Sequence, residues 1–160
     1  MLDKLLAFRD SYLMLLRGEL SVEGGLAFLD KLTPEWFDFS LDSLYYVDGY
    51  LFSLYALKEQ LDEQQLKNSV WTMGFYAGEV ILQNSPLKRN WQHHEDFFPT
   101  QPELVQNEFP LTMGNLAVLA SEEGTFTMPI SQVIRFIEEG PENSIQFYAS
   151  QEVAGQVASE

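Results

Sequence analysis

In the run Gly74-Phe75-Tyr76-Ala77-Gly78-Glu79-Val80, two glycines stand four residues apart inside what reads as one long helix. A glycine in a helix interior costs about 1 kcal/mol relative to alanine, so another interaction must offset it. The spacing puts Gly74 and Gly78 on one face with Ala77 beside them, a smooth strip that lets another backbone come close. The expectation is intimate packing against a helix that begins near Leu41. The sharper alternative is a groove floored by the strip, with Glu79 at its edge. Asp62 and Gln65 have the pattern of a capping box, so this helix is expected to open there and run to about Gln83. Asn84-Ser85-Pro86 closes it, because a residue before proline avoids helical angles.

Upstream, Leu2, Leu5, Leu6, Leu13 and Leu16 recur at helical spacing, and Gly18 lies where such a helix would end. Ser21 is expected to cap a second, shorter helix over 21–32, weakened by Gly24 and Gly25. Thr33-Pro34 breaks it, and Trp36, Phe37 and Phe39 then anchor a loop to the core. Ser40 is the expected cap of a helix over 41–60, with Leu44, Val47, Leu51, Leu54 and Leu57 or Lys58 as its inner face. Tyr45, Tyr46, Tyr50, Phe52 and Tyr55 widen its apolar band.

Downstream the pattern changes. Pro86, Pro99, Pro102, Pro110 and Pro129 leave no room for long helices between them. Leu116 to Ala120 and Thr125 to Met128 read as strands around the turn Glu122-Glu123-Gly124, and 91–94 and 104–109 as further strands. Pro129 fits the first turn of a helix that buries Ile130, Val133, Ile134 and Ile137 and stops at Gly140. A last helix over 141–153 buries Ile145 and Tyr148. The expected fold class is α+β: a four-helix N-terminal half packed on a small antiparallel sheet, followed by two C-terminal helices. One domain over 1–153 and a frayed tail over 154–160 complete the expectation.

Composition narrows function. With 46% hydrophobic and 14% aromatic residues, 160 residues can build a core. The absence of cysteine removes disulfides, thiolate metal sites and cysteine nucleophiles. The formal charge is −15, with eight basic and thirteen acidic residues before position 90 and only Arg135 against eleven acids after it. Such a charge disfavours nucleic acid as a partner. Asp3, Lys4, Arg9 and Asp10 interrupt the leucine-rich start, so neither a signal peptide nor a membrane span is expected, and the cytoplasm is the expected compartment. No Gly-x-Ser-x-Gly elbow, phosphate-cradling glycine loop or calcium loop is present, and no cofactor is implied.

Two stretches carry the functional candidates. His93-His94-Glu95-Asp96 has metal-ligand residue types, but adjacent histidines diverge in either a strand or a helix, so a solvated loop is expected and no metal. Of Tyr45 and Tyr46, and again of Phe97 and Phe98, both members of a pair cannot face one core, so some rings must be exposed or line a cleft. Exposed aromatics rimmed by acid would bind a basic protein or peptide, the leading expectation: an acidic, non-catalytic protein-interaction module. The alternative is a hydrolase or small-molecule or metal-binding protein with Glu79, Trp91, His93 and His94 around one pocket. A homodimer is a third expectation.

The segment Phe37 to Leu44, the run Gly74 to Ile81 and Trp91 together resemble a loosely defined family of small bacterial domains of unknown function. These share a Gly-x-Tyr-x-Gly-Glu-Val/Ile helix and a downstream tryptophan. The stretch from Met128-Pro129 through Glu139-Gly140-Pro141 to Phe147-Tyr148 is similar to their proline-led C-terminal helix pair. The resemblance spans about residues 36–150, implies a bacterial α+β domain, and supplies no catalytic residues.

Overall fold

The computed structural model describes residues 1–101 and 111–158. Three α-helices occupy the first half: α1 (Leu2–Leu16), α2 (Leu44–Leu57) and α3 (Glu63–Asn84). A three-stranded antiparallel sheet follows, built from β1 (Asn90–His93), β2 (Ala117–Ala120) and β3 (Phe126–Thr127) in the order β1-β2-β3. The short α4 (His94–Phe97) leaves β1, and α5 (Pro129–Glu139) and α6 (Ile145–Ala158) close the chain. The α+β class and the C-terminal helix pair therefore stand as expected. The strand expected over 104–109 lies outside the described residues.

The central helix α3 starts as its sequence predicts. Asp62 Oδ2 accepts from the N–H groups of Gln64 at 3.1 Å and Gln65 at 3.2 Å, satisfying two of the four donors a helix start leaves open. From Val70 to Ile81 nearly every side chain of α3 is buried, so this helix is covered on all sides. Contrary to the expected packing, its glycines do not meet α2. A Cβ on Gly74 would lie 2.9 Å from the Ile130 Cα of α5, and one on Gly78 would run into the Trp91 ring of β1. The partner is set by the crossing of α5 and the sheet over α3, which local periodicity does not encode.

The helix expected over 21–32 is absent. Gly24 and Gly25 take left-handed φ of 87° and 61°, and Phe28 follows at 49°, so the chain turns repeatedly and makes a single short turn of 3-10 helix over Leu29–Lys31. Its polar groups are bonded by other elements instead. Asn68 of α3 donates to the carbonyls of Glu23 (2.8 Å) and Gly25 (3.0 Å). Tyr50 of α2 donates to the Ala27 carbonyl at 2.6 Å. The N-terminal half thus holds three α-helices rather than four.

Two other boundaries move. Ser40 holds a turn by accepting from the Ser43 N–H at 3.1 Å, and α2 begins only at Leu44. The inner face expected for α2 holds over its first three turns, where Leu44, Val47, Leu51 and Leu54 are fully buried, while Leu57 and Lys58 are only half-buried. The last helix starts at Ile145, after a 3-10 turn over Pro141–Asn143. Its start is capped from α2, where Asp48 accepts from the Ser144 hydroxyl (2.6 Å) and the Ile145 N–H (2.7 Å).

Both faces of the sheet are covered. Trp91 pairs with Leu119 across β1 and β2, and these two face the helices together with Ala117. Val118 and Ala120 face the other way, into a smaller cluster with Phe97, Phe98 and Phe126. Phe97 and Phe98 are both buried there, their rings 5.1 Å apart and edge-on, which corrects the expectation that they must diverge. They lie where α4 passes into a 3-10 turn, and the change of helical pitch brings both rings under one sheet face.

Candidate functional site

Of the four expected binding residues, Glu79 and Trp91 meet each other. The Trp91 indole N–H donates to Glu79 Oε2 at 2.7 Å, and Arg9 of α1 approaches the same oxygen at 3.6 Å. Trp91 lies edge-on to Phe75 at 5.3 Å and covers Gly78. The Glu79 carboxylate therefore serves as the buried indole's acceptor. His93 lies elsewhere: its Nδ1 accepts from the Glu95 N–H at 3.1 Å, and its ring lines a hollow of about 390 Å³ beside Lys4, Leu5 and Phe8 of α1. His94 turns toward the second cluster, its ring centroid 4.6 Å from that of Phe98. Adjacent histidines at a strand end thus point to opposite sides, as expected. Neither Glu79 nor Trp91 is among the residues lining the His93 hollow. Among the described residues no group of three or more His, Asp or Glu is placed to share an ion.

The large open hollow lies on the opposite, outer face of α2. It measures about 530 Å³ and is walled by Trp36, Tyr45, Tyr46 and Phe52, with Gly49, Lys31 and Asp48 among its lining residues. A Cβ on Gly49 would meet nothing within 4 Å. Trp36, Tyr45 and Phe52 are 43%, 67% and 50% exposed, so this is aromatic surface in contact with water. Trp36 stacks flat on Tyr46, with centroids 4.5 Å apart and planes 17° from parallel, and Tyr45 meets Tyr46 edge-on at 5.5 Å. A second hollow of about 470 Å³ shares these three rings and adds Asp38, Asp42, Ser40 and Ser43.

The chain matches no protein-family model, no curated protein and no solved structure. Function must therefore be argued from this geometry.

Why the aromatic loop holds its shape follows from α3. Tyr76, at the centre of the Gly74–Gly78 run, is fully buried, and burial raises its pKa above the ordinary value. Its hydroxyl lies 2.6 Å from Ser43 Oγ and accepts from the Phe39 N–H at 3.0 Å. Asn84 donates to the Phe39 carbonyl at 2.9 Å. Phe39 has φ of 65°, a left-handed conformation that costs a bulky residue free energy, and these bonds on both sides of it stabilise that shape. Asp38 sits in the same loop. Its Oδ1 accepts from the Ser40 hydroxyl at 2.6 Å and the Ser40 N–H at 3.0 Å. Those bonds, the hydroxyl first, lower its pKa, so the exposed group stays an anion.

Charge around the rings is one-sided. Asp30, Glu35, Asp38, Asp42 and Asp48 fall within 30–48, against Lys31 alone. Asp48 is already committed to the start of α6, while Asp38 and Asp42 are exposed. The sequence shows the aromatics and the acid but not their meeting place. The missed signal was Gly49, a helix glycine whose neighbours on α2 are large aromatics.

Proposed function

We propose that this protein is an acidic protein-interaction module, and that the aromatic hollow over Gly49 receives a basic segment of a partner protein. The observation that carries the reading is the set of exposed rings Trp36, Tyr45, Tyr46 and Phe52, the first three of which also wall the adjoining hollow that holds Asp38 and Asp42. Large aromatic side chains give a contact surface with little conformational entropy to lose, and tyrosine and tryptophan dominate interface hot spots. A cation over an aromatic face gains about 0.5–1 kcal/mol at an exposed site. A field of −15 charges speeds the approach of a cationic segment and repels an anionic one.

Titration of the intact chain with a lysine- and arginine-rich peptide tests this, followed by tryptophan fluorescence or calorimetry. Raising salt from about 0.01 M to about 1 M shortens the screening length from about 30 Å to about 3 Å, and affinity should fall at least about tenfold. Replacing Trp36 and Tyr45 together with alanine should weaken binding by a similar factor. No binding at low salt, or binding indifferent to both changes, would end the proposal.

A further inference from the structure

We infer that the second hollow, at Asp38, selects arginine over lysine in the basic segment, an inference that rests on the interaction reading above. Its walls are Trp36, Tyr45 and Tyr46, and its polar side is formed by Asp38, Asp42, Ser40, Ser43 and Gln146. These two kinds of wall make different demands on a cation. The rings favour a flat, weakly hydrated group that can lie against an aromatic face. The carboxylates favour a group with N–H donors directed in its own plane. A guanidinium meets both demands at once, stacking through its face while its edge donates. An ammonium is a compact, strongly hydrated point charge; to lie against a ring it must shed water, and it has no face to stack.

The carboxylate of Asp38 is oriented before any ligand arrives. Both hydrogen bonds from Ser40 land on Oδ1, which fixes the plane of the group and leaves Oδ2 of this exposed side chain to accept from a ligand. The loop behind it is fastened on each side of Phe39 by Tyr76 and Asn84. An acceptor held in place loses little entropy on binding, so the difference between the two cations is expressed in affinity rather than spent on ordering the loop.

Three peptides of one Gly-Ser sequence test the inference, carrying about four evenly spaced arginines, lysines or trimethyllysines. Each is titrated at low salt into the intact protein and into Asp38→Asn. The amide keeps an oxygen for Ser40 and the site is exposed, so the variant should fold, which its melting curve checks. The arginine peptide should bind about fivefold tighter than the lysine peptide, and the preference should shrink to about twofold or less in Asp38→Asn. Equal binding of arginine and lysine peptides overturns the inference and leaves the interaction reading standing. A preference that survives Asp38→Asn overturns it too, since the rings alone would then discriminate. Tightest binding by trimethyllysine overturns it in favour of a purely aromatic cage. Failure of all three peptides to bind removes the interaction reading itself.

Discussion

Gly78 of α3 and Gly49 of α2 are both glycines inside helices, and their surroundings are opposite. Around Gly78 there is no room: the Trp91 ring lies where a methyl group would go, and Pro129 closes the side. A Cβ on Gly49 would meet nothing within 4 Å, and the exposed rings of Tyr45 and Phe52 stand on either side of it along the helix. The same residue carries the same propensity cost in both places. In α3 that cost is offset by close approach of β1 and α5. In α2 no packing offsets it, and the missing side chain keeps a hollow open. One region is a closed joint and the other an open surface, and the functional argument belongs to the open one.

The strongest way to break this comparison is Gly78→Ala. Helix propensity alone would make it stabilising, but the added methyl must displace an indole hemmed by Phe75 and bonded to Glu79. Stability to denaturant should fall by about 3 kcal/mol, the upper end for overpacking. A neutral or stabilising result would mean that the joint is slack.

Alkaline pH sharpens the comparison from the side of the core. Tyr50, next to Gly49, turns inward, and burial pushes its hydroxyl up to about 12, partly countered by its bond to Ser69. Burial likewise raises Tyr148, whose hydroxyl lies 2.6 Å from Thr127 Oγ1. A folded pKa above the unfolded value of about 10 favours the protonated form, so stability is intact below about pH 10 and is lost as pH climbs toward 12. Tyr50 alone should contribute a loss of roughly 2–3 kcal/mol across that window, and Tyr50→Phe should flatten it. Denaturation midpoints measured at rising pH check this, and equal slopes in the two proteins would refute it.

The smallest expected effect is the most telling for Gly49. Gly49→Ala should raise stability by about 0.5–1 kcal/mol, since the methyl meets nothing and the helix gains propensity. A longer side chain, as in Gly49→Leu, should fill the hollow and weaken the basic peptide while leaving the melting temperature near that of the parent. Retained peptide affinity in Gly49→Leu would place the contact elsewhere.

How far the sequence could be read follows from where each segment finds its bonds. The start of α3 was legible because Asp62 caps it from within its own turn, and the β2–β3 pair because the turn at Gly124 is local. The apolar face of α5 was legible too: Ile130, Val133 and Ile137 are buried at the expected spacing, with Ile134 half-buried beside them. The path over 21–32 was not legible, because Asn68, Ser69 and Tyr50 hold it from elements far along the chain. The loop after Thr33 was legible in Phe37 and Phe39, which pack on the core, but not in Trp36, expected inward and found exposed. In the candidate site, the divergence of His93 and His94 could be read from strand geometry. The bond between Glu79 and Trp91 could not, since it depends on how β1 lies over α3. Aromatic excess was visible in composition, but which rings stay wet depends on which face of α2 the rest of the chain leaves bare.

Asp48 joins the middle of α2 to the first turn of α6 across nearly a hundred residues, with Ile145 N–H and Ser144 hydroxyl closing on one carboxylate. During synthesis that carboxylate must wait, charged and hydrated, until the distant helix has left the ribosome. The wall of the main hollow that Phe136 and Pro141 supply is equally late. A nascent chain stalled before residue 136 would therefore present its aromatic rings on an unfinished surface.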